Sequence, residues 1–80
     1  MDSTTYAATV AASIRGAIKA SGRSVLSVAE ATGIAQSTLD RRFKSNGASP
    51  FTVLEVHAIA KELGMTPSTF YVDADEMAAA

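Results

Sequence analysis

From Gln36 to Lys44 the chain reads QSTLDRRFK, and these side chains sort into two sets. On a helix, Leu39 and Phe43 share one side, because residues four apart are surface neighbours. Gln36, Ser37, Asp40, Arg41 and Lys44 fall on the other side. That outer set matches the edges of bases. A glutamine amide bonds adenine at two points, a guanidinium forks onto guanine, a carboxylate accepts from cytosine, and a serine hydroxyl suits several bases. Lys44 and Arg42 have the reach and charge for phosphates. The same pattern also describes a helix whose outer face is simply hydrated. Asp40 opposes a polyanion unless a cytosine amino group or an arginine meets it. On residue pattern alone the two readings stand level.

Charge placement adds to the question. The 80-residue chain carries a net charge of −1, whereas nucleic-acid-binding domains are often strongly basic. The charges are unevenly spread, however. Between Ile14 and Gly47, Arg15, Lys19, Arg23, Arg41, Arg42 and Lys44 oppose only Glu30 and Asp40. Elsewhere Lys61 alone opposes Asp2, Glu55, Glu62, Asp73, Asp75 and Glu76. A chain polarised in this way can present one basic face, and such a face attracts phosphates.

Other chemistry has little support. There is no cysteine, which excludes disulfides, thiolate metal sites and cysteine nucleophiles and suits a reducing compartment. His57 is the single histidine, so no transition-metal set is expected. The run Asp73-Ala74-Asp75-Glu76 lacks the spacing and glycine of a calcium loop and reads as a solvated acidic tail. No G-x-S-x-G elbow or triad is present. Neither enzyme activity, nor a cofactor, nor a small-molecule ligand is expected. The N-terminal MDSTTYAATVAASI has no basic leader and no long apolar run, so neither a signal peptide nor a membrane span is expected.

The elements that would position the outer set are helices. Apolar residues make up 48% of the chain, enough for one core. Tyr6, Val10, Ile14 and Ile18 recur every four residues in a first helix over 5–21, with Ala7, Ala11 and Ala17 beside them. A short second helix over 25–32, capped by Ser24, carries Leu26, Val28 and Ala29. The third spans 36–45. The pairs Ser49-Pro50 and Thr66-Pro67 read as caps followed by first-turn prolines, starting a fourth helix over 50–63 and a fifth over 67–72. The fourth is expected to bury Val53, Val56, Ala60 and Leu63, with Leu54 or Ile59 flanking. Phe70, with Tyr71, closes the core, and 73–80 is a tail. Gly22, Gly33, Gly47 and Gly64 fall where helices stop. The expectation is one all-α domain over 1–80. The short link at Gly33 and Ile34 makes the second and third helices a helix-turn-helix.

The stretches SVLSVAEATGIAQSTLDRRF and FTVLEVHAIAKELGMTPSTFY resemble the lambda-repressor and Cro type of helix-turn-helix domain. The resemblance rests on Ser24, Val28-Ala29, Gly33, Ile34 and Gln36-Ser37-Thr38, then on Ile59-Ala60, Leu63-Gly64 and Thr66. It implies a compact five-helix fold whose second and third helices bind double-stranded DNA, the third lying in the major groove. By this resemblance Gln36, Ser37, Asp40 and Arg41 face bases, while Arg23, Ser24, Thr38, Arg42, Lys44 and Asn46 serve the phosphate backbone. Three positions depart from the family pattern. Val25 replaces a frequent DNA-contacting glutamine, Ala35 replaces the hydroxyl cap of the third helix at a cost of about 1 kcal/mol, and Arg42 stands where an apolar residue is common. The resemblance further implies a small phage or bacterial repressor of the bacterial cytoplasm, acting by operator occupancy. A palindromic operator would be bound by a homodimer, with Tyr71 and Met77 as a dimer patch unless they merely close the core and fray. The alternative expectation is a protein-interaction module on the same fold, antitoxin-like or anti-repressor, which the overall acidity, Val25 and Asp40 favour.

Overall fold

Caps near the N-terminus set the first helix. In the computed structural model, which describes residues 1–80, Asp2 accepts the Thr5 N–H at 2.7 Å and starts α1 (Ser3–Ala20). That N–H holds the Asp2 carboxyl below the usual aspartate range. The start therefore lies before residue 5, because the aspartate side chain satisfies an otherwise orphaned donor. Val10, Ala11, Ile14 and Ile18 form the buried stripe of α1. Ser24 caps α2 (Val25–Thr32) through the Ser27 N–H at 3.1 Å. Val28 and Ala29 of this helix are buried, whereas Leu26 is exposed. Helix α3 (Gln36–Lys44) follows after Gly33, Ile34 and Ala35.

The expected fourth helix needs correction at its start. Helix α4 (Val53–Leu63) begins at Val53, three residues after Pro50. Thr52 Oγ1 accepts the Glu55 N–H at 3.2 Å, and Glu55 Oε1 accepts the Thr52 N–H at 2.9 Å, a reciprocal capping box. Ser49, the expected cap, has its hydroxyl engaged by arginines instead. The shift changes which residues are core. Val53 and Leu54 sit in the first turn and are each 82% exposed, while Val56, Ile59 and Ala60 are buried. Phe51 just before the cap packs on the core in their place.

A second correction concerns the C-terminal segment. Pro67–Tyr71 forms a 3-10 turn that inserts Phe70 into the core. Residues after it continue as α5 (Val72–Ala79) rather than as a tail. Ala74 is fully buried, its small side chain allowing α5 to lie on α1. The Tyr6 hydroxyl also donates to Asp75, which holds the proton on the phenol and raises its pKa.

One core draws on every helix. Phe70, Ile14, Leu39, Ile59, Val28 and Val56 are its largest fully buried members. Around it α1 packs on α3, the 3-10 turn and α5, while α2 packs on both α3 and α4. The chain is all-helical with five α-helices, and no helix is long and apolar enough to cross a membrane.

Candidate nucleic-acid interface

Helix α2 ends at Gly33, which adopts the left-handed conformation (φ 78°) that an L side chain disfavours. Its N–H closes the helix on Ala29 O. Thr32 Oγ1 donates to Val28 O at 2.7 Å and accepts the Ile34 N–H at 3.4 Å, pinning the turn from the helix side. Ile34 is half-buried and packs against the core. Ala35 occupies the cap position of α3 and supplies no side-chain bond.

Helix α3 is then held by its inner face. Leu39 is fully buried, and the Phe43 ring meets Phe51 at 5.4 Å between centroids with a 55° tilt. Gln36, Ser37, Arg41 and Lys44 are exposed, and Thr38 and Asp40 are half-buried. Asp40 enters neither of the chain's two ion pairs. Thus Leu39 anchors the helix while Gln36, Ser37 and Arg41 stay open to a ligand.

The residues expected at a phosphate backbone separate into free and engaged groups. Arg23 donates Nε to Ser27 Oγ at 3.1 Å and Nη1 to Glu62 Oε1 at 3.1 Å, tying the start of α2 to α4. Arg42 donates Nε and Nη2 to the two Glu55 carboxylate oxygens at 2.9 and 3.1 Å, and Nη1 to Ser49 Oγ at 2.6 Å. Its guanidinium is engaged inside the fold, where it clamps α3 to α4. Ser24 is exposed and uses its hydroxyl as a cap. Lys44 and Asn46 are exposed, Asn46 in left-handed backbone with φ 54°.

The fold also recruits Arg15, which the linear reading left out of the site. Its guanidinium lies 5.7 Å from the centre of the Phe43 ring, and a small cleft groups it with Phe43, Asn46 and Gly47. No short motif carries that pairing, because it depends on α1 crossing α3. The Arg42–Glu55 pair likewise joins two helices, and the Thr52-x-x-Glu55 box marks only the start of α4. With Arg23 and Arg42 engaged, the basic groups of this region outside any ion pair are Arg15, Lys19, Arg41 and Lys44. No family model, curated protein or solved structure matches the chain.

Two sites outside this face are placed differently. His57 is exposed on α4, and no three acidic or histidine side chains converge on a metal position. Tyr71 is half-buried against the core, while Met77 is 54% exposed beside a groove between α1 and α5.

The Arg42–Glu55 clamp makes stability acid-sensitive. Both side chains are only 14% exposed. Burial raises the Glu55 pKa, but hydrogen bonds from Arg42 and Thr52 outweigh it and hold the carboxyl below its usual 4.5. A depressed carboxylate stabilises the fold above its unfolded pKa, and the contribution fades as pH falls through the folded value. Glu55→Gln is expected to cost about 1–2 kcal/mol at neutral pH, between an exposed pair and a buried one. Urea denaturation at pH 7 and pH 3 checks this. The gap between variant and wild type should shrink in acid.

Proposed function

We propose that this chain is a sequence-specific double-stranded-DNA-binding transcriptional regulator of the helix-turn-helix type. The supporting observation is the division of α3 behind the Gly33 turn: Leu39 is fully buried, and Gln36, Ser37, Arg41 and Lys44 are exposed. A short helix, a left-handed turn and a second helix anchored by one face match the motif that enters a major groove. In this reading Gln36 and Arg41 pair with adenine and guanine edges, Ser37 and Asp40 complete the reading face, and Lys44 and Asn46 meet phosphates. Occupancy of an operator then blocks polymerase, and a palindromic operator would be bound by two copies. The lambda-repressor and Cro resemblance supports the same assignment.

Selection of bound duplexes from a random pool, followed by titration, tests it. A selected site should bind at least about a thousandfold more tightly than random duplex. Equal, feeble binding to both would instead favour a protein-interaction module, for which Val53 and Leu54, each 82% exposed, offer an apolar contact.

Two substitutions separate reading from steering. Arg41→Ala should cost about 1–3 kcal/mol at the selected site and relax one base position. Lys44→Ala should weaken all sequences alike and lower the salt slope by about one. Wild-type discrimination by Arg41→Ala would remove Arg41 from the reading face.

A further inference from the structure

Arg41 and Arg42 are consecutive on α3, yet both donate to one hydroxyl. Ser49 Oγ accepts from Arg41 Nε at 3.3 Å and from Arg42 Nη1 at 2.6 Å. The hydroxyl is itself held in place, since the Ser49 N–H donates to Ser45 Oγ at 2.9 Å at the end of α3. Arg42 is fixed from the other side by both oxygens of Glu55. Glu55, in turn, is anchored by the Thr52 N–H. An unbroken chain of polar contacts therefore runs from the start of α4 to Arg41. Glu55, Arg42 and Ser49 are half-buried, whereas Arg41 is exposed.

This chain restrains Arg41 by its Nε edge alone. Its Nη1 and Nη2 have no partner within the protein. Those two nitrogens form the end-on fork of a guanidinium, which can span O6 and N7 of guanine. Immobilising a flexible arginine opposes binding, and prior restraint lowers that cost.

We infer that Ser49 is a positioning residue, holding Arg41 by Nε so that its terminal fork selects guanine. Ser49 itself touches no base. The inference rests on α3 being the DNA-reading face, and it assigns a specificity role to a loop residue outside that helix.

The test uses the full chain and duplexes selected by the wild type. Titrations compare the selected site with the same site altered at the base pair most sensitive to Arg41→Ala. Ser49→Ala should lower the preference for guanine there by about fivefold to tenfold, the weight of one hydrogen bond. Random-duplex affinity and salt slope should stay at wild-type values, because no phosphate contact is removed. Ser49→Thr, which restores the hydroxyl, should recover the preference. Ser49→Ala also removes the Arg42 contact, so discrimination at the other base pairs is measured too. It should stay at the wild-type level, whereas a purely structural role, acting by displacing α3, would lower it everywhere. Thermal unfolding verifies that each variant is folded, and Ser49→Cys, a near-isosteric weak acceptor, replaces Ser49→Ala if that variant does not fold.

Three results overturn the inference: unchanged guanine preference in the folded Ser49 variant, equal loss at every base position, or tighter binding to the selected site. The last would mean that Ser49 draws Arg41 away from DNA. If the wild type binds selected and random duplexes alike, the DNA reading falls and this inference with it. If the wild type selects a site and Ser49→Ala leaves the guanine preference intact, only the role of Ser49 falls.

Discussion

Gly47→Ala is expected to destabilise the protein by about 3 kcal/mol or more, from two penalties that act together. Gly47 has φ +90°, in the region where an L residue is strained. A Cβ there would also collide with Thr4 O and lie 2.9 Å from Thr4 C. Both are backbone atoms in the first turn of α1, so no side-chain rotation can make room. An 80-residue domain at about 0.05–0.15 kcal/mol per residue has a total stability of roughly 4–12 kcal/mol, so the loss is a large part of the whole. Gly64→Ala is the internal control. Its φ is +68°, but no atom lies within 4 Å of the new Cβ, so it carries the backbone penalty without the collision. Urea midpoints at constant m value separate the two. Equal midpoints would show that the loop does not press on Thr4. The functional stake is the loop after α3, where this contact seats Asn46 and Gly47 against α1.

Phe70→Ala should cost about 3–5 kcal/mol, the range for truncating a buried aromatic. Phe70 is 1% exposed and is the largest fully buried side chain. It enters the core from the 3-10 turn, which packs on both α1 and α4. Truncation would leave a cavity where the turn meets α1 and α4. Leu54→Ala provides the contrast. Hydrophobicity and a helix start at Pro50 would put Leu54 beside the core, yet it is 82% exposed. Its truncation should change stability by no more than about 0.5 kcal/mol. Thermal melts of the two variants decide the matter, and a loss of several kcal/mol in Leu54→Ala would restore the earlier helix start.

Local signals account for what was legible before the fold. Ser24, Gly33 and Gly64 act on backbone groups within a few residues, so their roles as cap and stops can be read from nearby sequence. The two faces of α3 are equally local, because Leu39 and Gln36 are placed by helical period alone. At α4, Ser49-Pro50 pointed to a start three residues early, whereas the Thr52–Glu55 capping box sets it in the structure. Tertiary contacts chose between them, since the Ser49 hydroxyl is taken by Arg41 and Arg42. The C-terminal helix shows the same limit. Alanines and acidic residues read as a tail until Ala74 meets α1, almost the whole chain away.

Sequence by itself determined the all-helical character, the turn at Gly33 and the burial of Leu39 beneath the exposed Gln36, Ser37, Arg41 and Lys44. These follow from period, caps and backbone freedom, all short-range properties. Only the tertiary structure decided which cations remain available at that surface. Arg23 and Arg42 look as free as Arg41 and Lys44 along the chain, but Glu62 and Glu55 claim them across 39 and 13 positions. Ion pairing depends on distance in space, and helical period carries no information about partners on other helices.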